Sequence, residues 1–232
     1  MPDALNQSIE SLDHAPSELA SEAPTAAAAV RKRPKPGERR VQILQALASM
    51  LEQPSGERIT TAALAARLDV SEAALYRHFA SKAQMFEGLI EFIEQTVFSL
   101  VNQIVEREQA ASDGAADTLG ARQAAKVIAM LVQFAEKNPG MARVMVGDAL
   151  VFENERLLVR MNQFFDKIEA TLKQCLRDGA AANASVSPTV DAQVRASVLA
   201  AFVSGRLQRF VRSGYKRLPS EHLDASLRVL LG

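Results

Sequence analysis

Tryptophan is missing from this chain, cysteine occurs once, and aromatic residues make up only 5% of its 232 positions. The lone Cys175 excludes an intrachain disulfide. On an apolar helical stretch, a single thiol reads as a small core residue rather than a nucleophile. His14, His78 and His222 are far apart, and no Cys/His cluster has metal-ligand spacing, so no metal site is expected. There is no Gly-rich phosphate loop and no catalytic constellation, so neither a cofactor nor an enzyme is expected. No apolar run reaches membrane-spanning length, and the first residues are acidic and polar rather than signal-like. A cytoplasmic protein is expected.

What is present is balanced overall but uneven along the chain. Lys+Arg and Asp+Glu both total 27, and a net charge of zero argues against indiscriminate nucleic-acid binding. Residues 1 to 30 carry Asp3, Glu10, Asp13, Glu18 and Glu22 and no Lys or Arg. The next ten carry Arg31, Lys32, Arg33, Lys35, Arg39 and Arg40 against one Glu. The Ala/Ser/Glu/Pro composition up to about residue 34 predicts a disordered tail. The RKRPKP run is extended, since each Pro disfavours helix before it. It is either an arm that adds phosphate contacts or enters a minor groove, or a solvated linker.

The rest reads as all-α. Apolar residues make up 48%, Ala and Leu are abundant, and β-branched alternation is scarce. Helix 1 begins at Gly37 or Glu38, with Val41, Leu44, Ala48 and Leu51 as its inner stripe, and ends at Pro54, Ser55 and Gly56. Later helices are expected over residues 81–108, 118–137, 141–147, 151–177, 189–215 and 220–231, with loops at 110–117 and 179–188. The expected domains are a tail with a basic arm (1–36), a three-helix unit (37–83) and a helical C-terminal domain (84–232).

Residues 60 to 86 organise the rest. Thr60 or Thr61 can cap a helix carrying Leu64, Ala65 and Leu68. Asp69 and Val70 make a short connection. Ser71 is a good N-cap for the next helix, and Glu72 suits the positive end of its dipole. Ala74, Leu75 and Phe79 can face inward, leaving Ser71, Glu72, Ala73, Arg77 and His78 outside. Ser81 with Gln84 has the capping-box pattern for a third helix. This is a helix-turn-helix, whose second helix fits a DNA major groove. A bland pair of packed helices has the same spacing.

The exact residues go further. The run SEAALYRHFASK resembles the signature of the TetR family of DNA-binding proteins. That resemblance implies that Tyr76, His78 and Lys82 touch phosphates and that Phe79 is core. With Thr60, Thr61, Ser71, Glu72, Ala73 and Arg77 these residues form the candidate DNA face. The runs RITTAALAA, SKAQMFEGLIEFIE, EKNPG, ALVFENERL, RMNQFFDKIEATL and GRLQRFVRSGYKRLP extend the likeness to the family's nucleoid occlusion branch, over residues 39 to 219.

That closer resemblance implies binding to palindromic sites in double-stranded DNA, association with the nucleoid, and engagement of the tubulin-like division protein FtsZ. The receptor for the acidic and apolar FtsZ C-terminal tail would lie on the helices holding Phe92, Met130, Lys137 and Asn138. The helices over 151–177 and 189–215 would pair with their symmetry mates in a homodimer, which doubles the contact of one helix-turn-helix. The alternative is a ligand-responsive repressor of the same family, which needs a pocket in the C-terminal half.

Overall fold

The computed structural model describes residues 37–53, 58–111, 116–182 and 187–232. The expected tail and basic arm, the Pro54-Ser55-Gly56 stop and the middle of the 110–117 loop lie outside the described residues.

The described residues are helical and contain no strand. In chain order they form α1 (Glu38–Leu51), α2 (Thr61–Arg67), α3 (Glu72–Tyr76), α4 (Lys82–Ala110), α5 (Ala116–Lys137) and α6 (Pro139–Met145). A 3-10 turn (Asp148–Leu150), α7 (Glu155–Ala182), α8 (Pro188–Arg212) and α9 (Leu223–Leu231) follow. The most extensive packing is of α7 against α8 and α5, with α4 beside α5 and α9 resting on α5 and α8.

The stripes explain the packing. On α4, Phe86, Leu89, Ile90, Ile93, Val97 and Val101 are all buried, one continuous ridge running from the helix-turn-helix into the C-terminal helices. On α7, Leu157, Met161, Phe164, Ile168 and Leu172 do the same, and Phe164 meets Phe98 edge-on at 5.6 Å. Burying each such side chain contributes roughly 1.5–3 kcal/mol, so these ridges outweigh any helix propensity. Cys175 is a buried core residue, as its setting suggested.

Two glycines permit close helix approach. A Cβ on Gly120 would sit 2.1 Å from the Cys175 carbonyl oxygen, and one on Gly140 would sit 2.1 Å from that of Ala48. The first lets α5 lie on α7. The second lets α6 lie against α1. One ionic cluster crosses between α4 and α5: Glu108, at 8% exposure, is paired with Lys126 and lies 3.5 Å from Arg122. These cations hold its carboxyl below the usual range, the Lys126 hydrogen bond contributing most.

Several expected details are corrected. The inner stripe of α1 is Ile43, Leu47, Ala48 and Leu51, whereas Val41 is 39% exposed and Leu44 half-buried. Both stripes have helical spacing, and the one met by neighbouring helices wins. The helix expected from Val151 starts at Glu155, because Asn154 Oδ1 accepts from the Arg156 N–H and restarts the helix after the 3-10 turn. Val151 and Phe152 are left 61% and 73% exposed. Of the expected 179–188 loop, the first residues belong to α7, which continues to Ala182, and α8 opens at Pro188 with proline in its first turn, while residues 183–186 lie outside the described residues. The last helix opens at Leu223, after His222 in a left-handed conformation.

Candidate nucleic-acid interface

Local chemistry builds the helix-turn-helix. Of the two threonines, Thr60 is the N-cap of α2, accepting from the Ala63 N–H at 3.1 Å. The α2 end is a Schellman motif: Val70 N–H bonds Ala65 O at 3.1 Å and Asp69 N–H bonds Ala66 O at 3.1 Å. This puts Asp69 at φ 52°, a left-handed position that Asp tolerates better than most side chains. Half-buried Val70 supplies the apolar contact such a turn uses.

Ser71 caps α3, accepting from the Ala74 N–H at 3.3 Å. Leu75 and Phe79, each 1% exposed, anchor α3 from beneath, while Ala74 is half-buried. Ser81 caps α4 through the Gln84 N–H at 3.2 Å. The reciprocal bond of the expected capping box shifts by one residue, because Gln84 Oε1 accepts from Ala80 N–H at 2.8 Å.

This scaffold leaves Ser71, Glu72, Ala73, Arg77 and His78 exposed on one short helix and its end, with Tyr76 at 45%. Thr61 and Glu72 come together across the pair: the Thr61 hydroxyl donates to Glu72 Oε2 at 2.6 Å. The Thr60 and Ser71 hydroxyls accept at their caps, which leaves each O–H proton able to donate outward. Lys82 is different. Its side chain is 19% exposed and its ammonium is paired with Glu153, from the segment before α7.

Sequence reasoning missed three charged residues here. Arg40 of α1 stacks its guanidinium 4.2 Å from the Phe79 ring centroid and donates to His78 O at 3.2 Å, fixing the end of α3. Its place in the basic 31–40 run was the available signal. Arg58 and Glu153 lie 3.8 Å apart, and nothing in the local sequence pairs residues so far separated.

The second set of expected residues lies on α4 and α5, which pack together. Phe92 is half-buried and stands outside the continuous core that includes Ile93. Met130 is half-buried and packs on that core. Lys137 is exposed at the end of α5. Asn138 spends its amide donor on Phe134 O at 2.7 Å, closing α5, and precedes Pro139 of α6. A cavity of about 370 Å³ lies elsewhere, between the helix-turn-helix and the C-terminal helices, lined in part by Leu51, Arg58, Phe86, Arg143, Glu153 and Tyr215. No described helix is long and apolar enough to cross a membrane.

Comparison with known proteins agrees with this layout. Residues 43–89 match the family model "Bacterial regulatory proteins, tetR family", and residues 117–231 match "Tetracyclin repressor-like, C-terminal domain" of SlmA-like type. Among solved structures, the regulator FadR of Bacillus subtilis, in complex with stearoyl-CoA, superposes with a TM-score of 0.64 at 14% identity, covering 83% of this chain and 97% of its own. FadR of Bacillus halodurans gives 0.63 at 17%, covering 86% and 97%. At such identity these show the fold alone, a TetR-like one. Closer in sequence is the nucleoid occlusion factor SlmA of Idiomarina loihiensis, 50% identical over 192 residues, 83% of this chain and 93% of that protein. SlmA of Vibrio cholerae is 50% identical over 187 residues, 80% of this chain and 90% of its own. The chain belongs to the SlmA family of nucleoid occlusion factors, within the TetR family of bacterial regulators.

Proposed function

We propose that this chain is a nucleoid occlusion factor. In this reading it is a homodimer that binds palindromic sites in double-stranded DNA on the nucleoid. A second surface holds the C-terminal tail of FtsZ, so that division-ring assembly is blocked over the chromosome. One observation carries the reading: the 50% identity to SlmA spans the helix-turn-helix and the C-terminal helices alike. Catalysis has no part in it.

The exposed side of α3 supports the DNA half. Its N-terminal residues Ser71, Glu72 and Ala73 would meet base edges, with Arg77 beside them. Glu72, held by Thr61, is suited to accept from a cytosine amino group. Thr60, Tyr76, His78 and Lys82 would act on phosphates, which position the protein without reading sequence.

Phe92, Met130, Lys137 and Asn138 support the partner half. An aromatic outside the core on α4, with a flexible Met and an exposed cation on the packed helix α5, is the chemistry an acidic and apolar peptide requires. The side-chain amide of Asn138 keeps its second N–H and its oxygen for peptide backbone. The test is to make Phe92→Ala and Lys137→Asp and measure DNA binding and FtsZ-tail binding on each. Tail binding should fall while DNA binding persists, and intact tail binding in both variants would remove the site.

A ligand-responsive repressor is the second reading, and the 370 Å³ cavity is what favours it. A genome-wide binding map separates the two. Many sites away from promoters support nucleoid occlusion, whereas a single site beside one promoter supports a repressor.

A further inference from the structure

We propose that Glu153 is an electrostatic latch that sets how strongly the helix-turn-helix grips DNA phosphates. The proposal rests on the DNA-binding reading above and adds a positioning residue that does not itself touch DNA. Arg58 lies two residues before Thr60, and Lys82 is the first residue of α4, so these two cations bracket the helix-turn-helix in sequence. Both are held by one carboxylate. Lys82 Nζ hydrogen-bonds Glu153 Oε1, and Arg58 Nε lies 3.8 Å from the same oxygen. Arg58 also donates to Phe152 O at 3.3 Å.

Their exposures differ in an informative way. The Glu153 side chain is 8% exposed, that of Lys82 19% and that of Arg58 63%. The carboxylate is thus largely withdrawn from solvent beside the cations it neutralises, and Lys82 is further confined with its ammonium 5.6 Å from the Phe86 ring centroid. The backbone at Glu153 is tied to the 3-10 turn, its N–H bonded to Leu150 O at 3.0 Å. A phosphate reaching this edge must therefore draw Lys82 from Glu153 or share it. Carboxylate and phosphate compete for the same donor, and two cations present a net charge of one. Glu153 belongs to the segment leading into α7, so the grip of the DNA-binding unit is limited from the C-terminal body.

The test removes the charge while keeping the shape. Glu153→Gln retains an oxygen that can accept from Lys82, and Glu153→Met is a second uncharged variant of similar volume should the first fold poorly. Binding of the intact protein to a duplex lacking any palindrome is followed by fluorescence anisotropy across a salt series. Release of one cation in each protomer of the dimer should steepen the log–log salt slope by about 1.8 and tighten binding about sixty-fold at 0.1 M salt, equally for all sequences. The gain should shrink when Lys82→Ala is added.

An unchanged or weaker affinity with an unchanged slope would overturn the latch and leave Glu153 as a structural anchor. The same full gain in the Lys82→Ala background would overturn it too. Arg77→Ala separates this from the underlying reading. If the wild type fails to bind duplex DNA, or Arg77→Ala leaves its site preference intact, the DNA face itself is misassigned. A wild type that binds, depends on Arg77 and ignores Glu153→Gln overturns the latch alone.

Discussion

The Tyr215 hydroxyl donates to the backbone oxygen of Leu51 at 3.1 Å, across 164 residues of sequence. Leu51 is the last residue of α1, so its carbonyl is one of those a helix end leaves without an internal partner. Arg143 of α6 donates to the same oxygen at 3.3 Å and to Gln53 O at 3.2 Å, placing a cation at the negative end of α1. Tyr215 reaches this position at φ 67°, directly after Gly214 at φ 61°, with its ring 5.2 Å from that of Phe210. A left-handed tyrosine is strained, and its hydrogen bond and ring contact hold it there. The first helix of the DNA-binding unit is therefore capped by residues of the C-terminal helices, through the wall of the cavity between them.

Tyr215→Phe should lower the stability to unfolding by about 0.5–1.5 kcal/mol, the net value of one such hydrogen bond. The difference should also depend on pH. Burial pushes the Tyr215 phenol up, against the lowering by Arg143, with Asp148 and Glu52 adding to the rise. A raised folded value means that the folded state holds the proton more tightly. The contribution is therefore complete below about pH 10 and lost as pH rises through the raised value. Melting temperatures of wild type and Tyr215→Phe should converge on the alkaline side. A gap that stayed constant to high pH would contradict the linkage.

Gly140→Ala should destabilise the fold by at least about 1–3 kcal/mol, the usual cost of an overfilled contact. The new Cβ would meet the Ala48 carbonyl oxygen at 2.1 Å and Glu52 N at 3.2 Å, both backbone atoms that no rotamer change can move. Since α6 would be pushed from α1, DNA binding should weaken along with the melting temperature. An unchanged melt would show that α6 does not lie this close to α1.

Periodicity made the long helices legible. The Phe86–Val101 ridge, the Leu157–Leu172 ridge and the caps at Ser71 and Ser81 are local patterns, and the structure contains them. The exposed side of α3 followed from the same spacing. Where two stripes fit one helix, as with Val41 and Ile43, the choice belongs to neighbours distant in sequence. The same is true of Lys82. The family resemblance implied a phosphate contact for Lys82, and its partner Glu153 comes from 71 residues further on. Arg143 and Tyr215 were likewise invisible as caps, because their acceptors are backbone oxygens with no sequence signature. The Asn154 restart of α7 is a local signal that the continuous apolar run ALVF masked.

A homodimer should pair through α7 and α8. Along α8, Val190, Val194 and Val198 recur every four residues and are 61%, 57% and 46% exposed, and Val159 of α7 is 50% exposed. Exposed Ala201 follows, and a Cβ on Gly205 would meet nothing within 4 Å. Such an apolar stripe, ending in small residues, fits a twofold pairing of α7 and α8. Phe202, in the middle of the same helix, is half-buried with the Arg206 guanidinium 4.6 Å from its ring centroid, so a charge there would test folding rather than assembly. Val198→Asp is the better probe, because its side chain faces solvent in the isolated chain and would be buried only by a partner. An unpaired buried charge costs several kcal/mol, enough to shift the equilibrium to monomers. Sedimentation should therefore show a folded monomer for Val198→Asp, with helicity unchanged and binding to palindromic DNA weakened. Val229→Asp, a charge on α9 at a site 84% exposed and off this stripe, serves as the control and should remain dimeric. A Val198→Asp protein that sediments as a dimer would take α8 out of the interface.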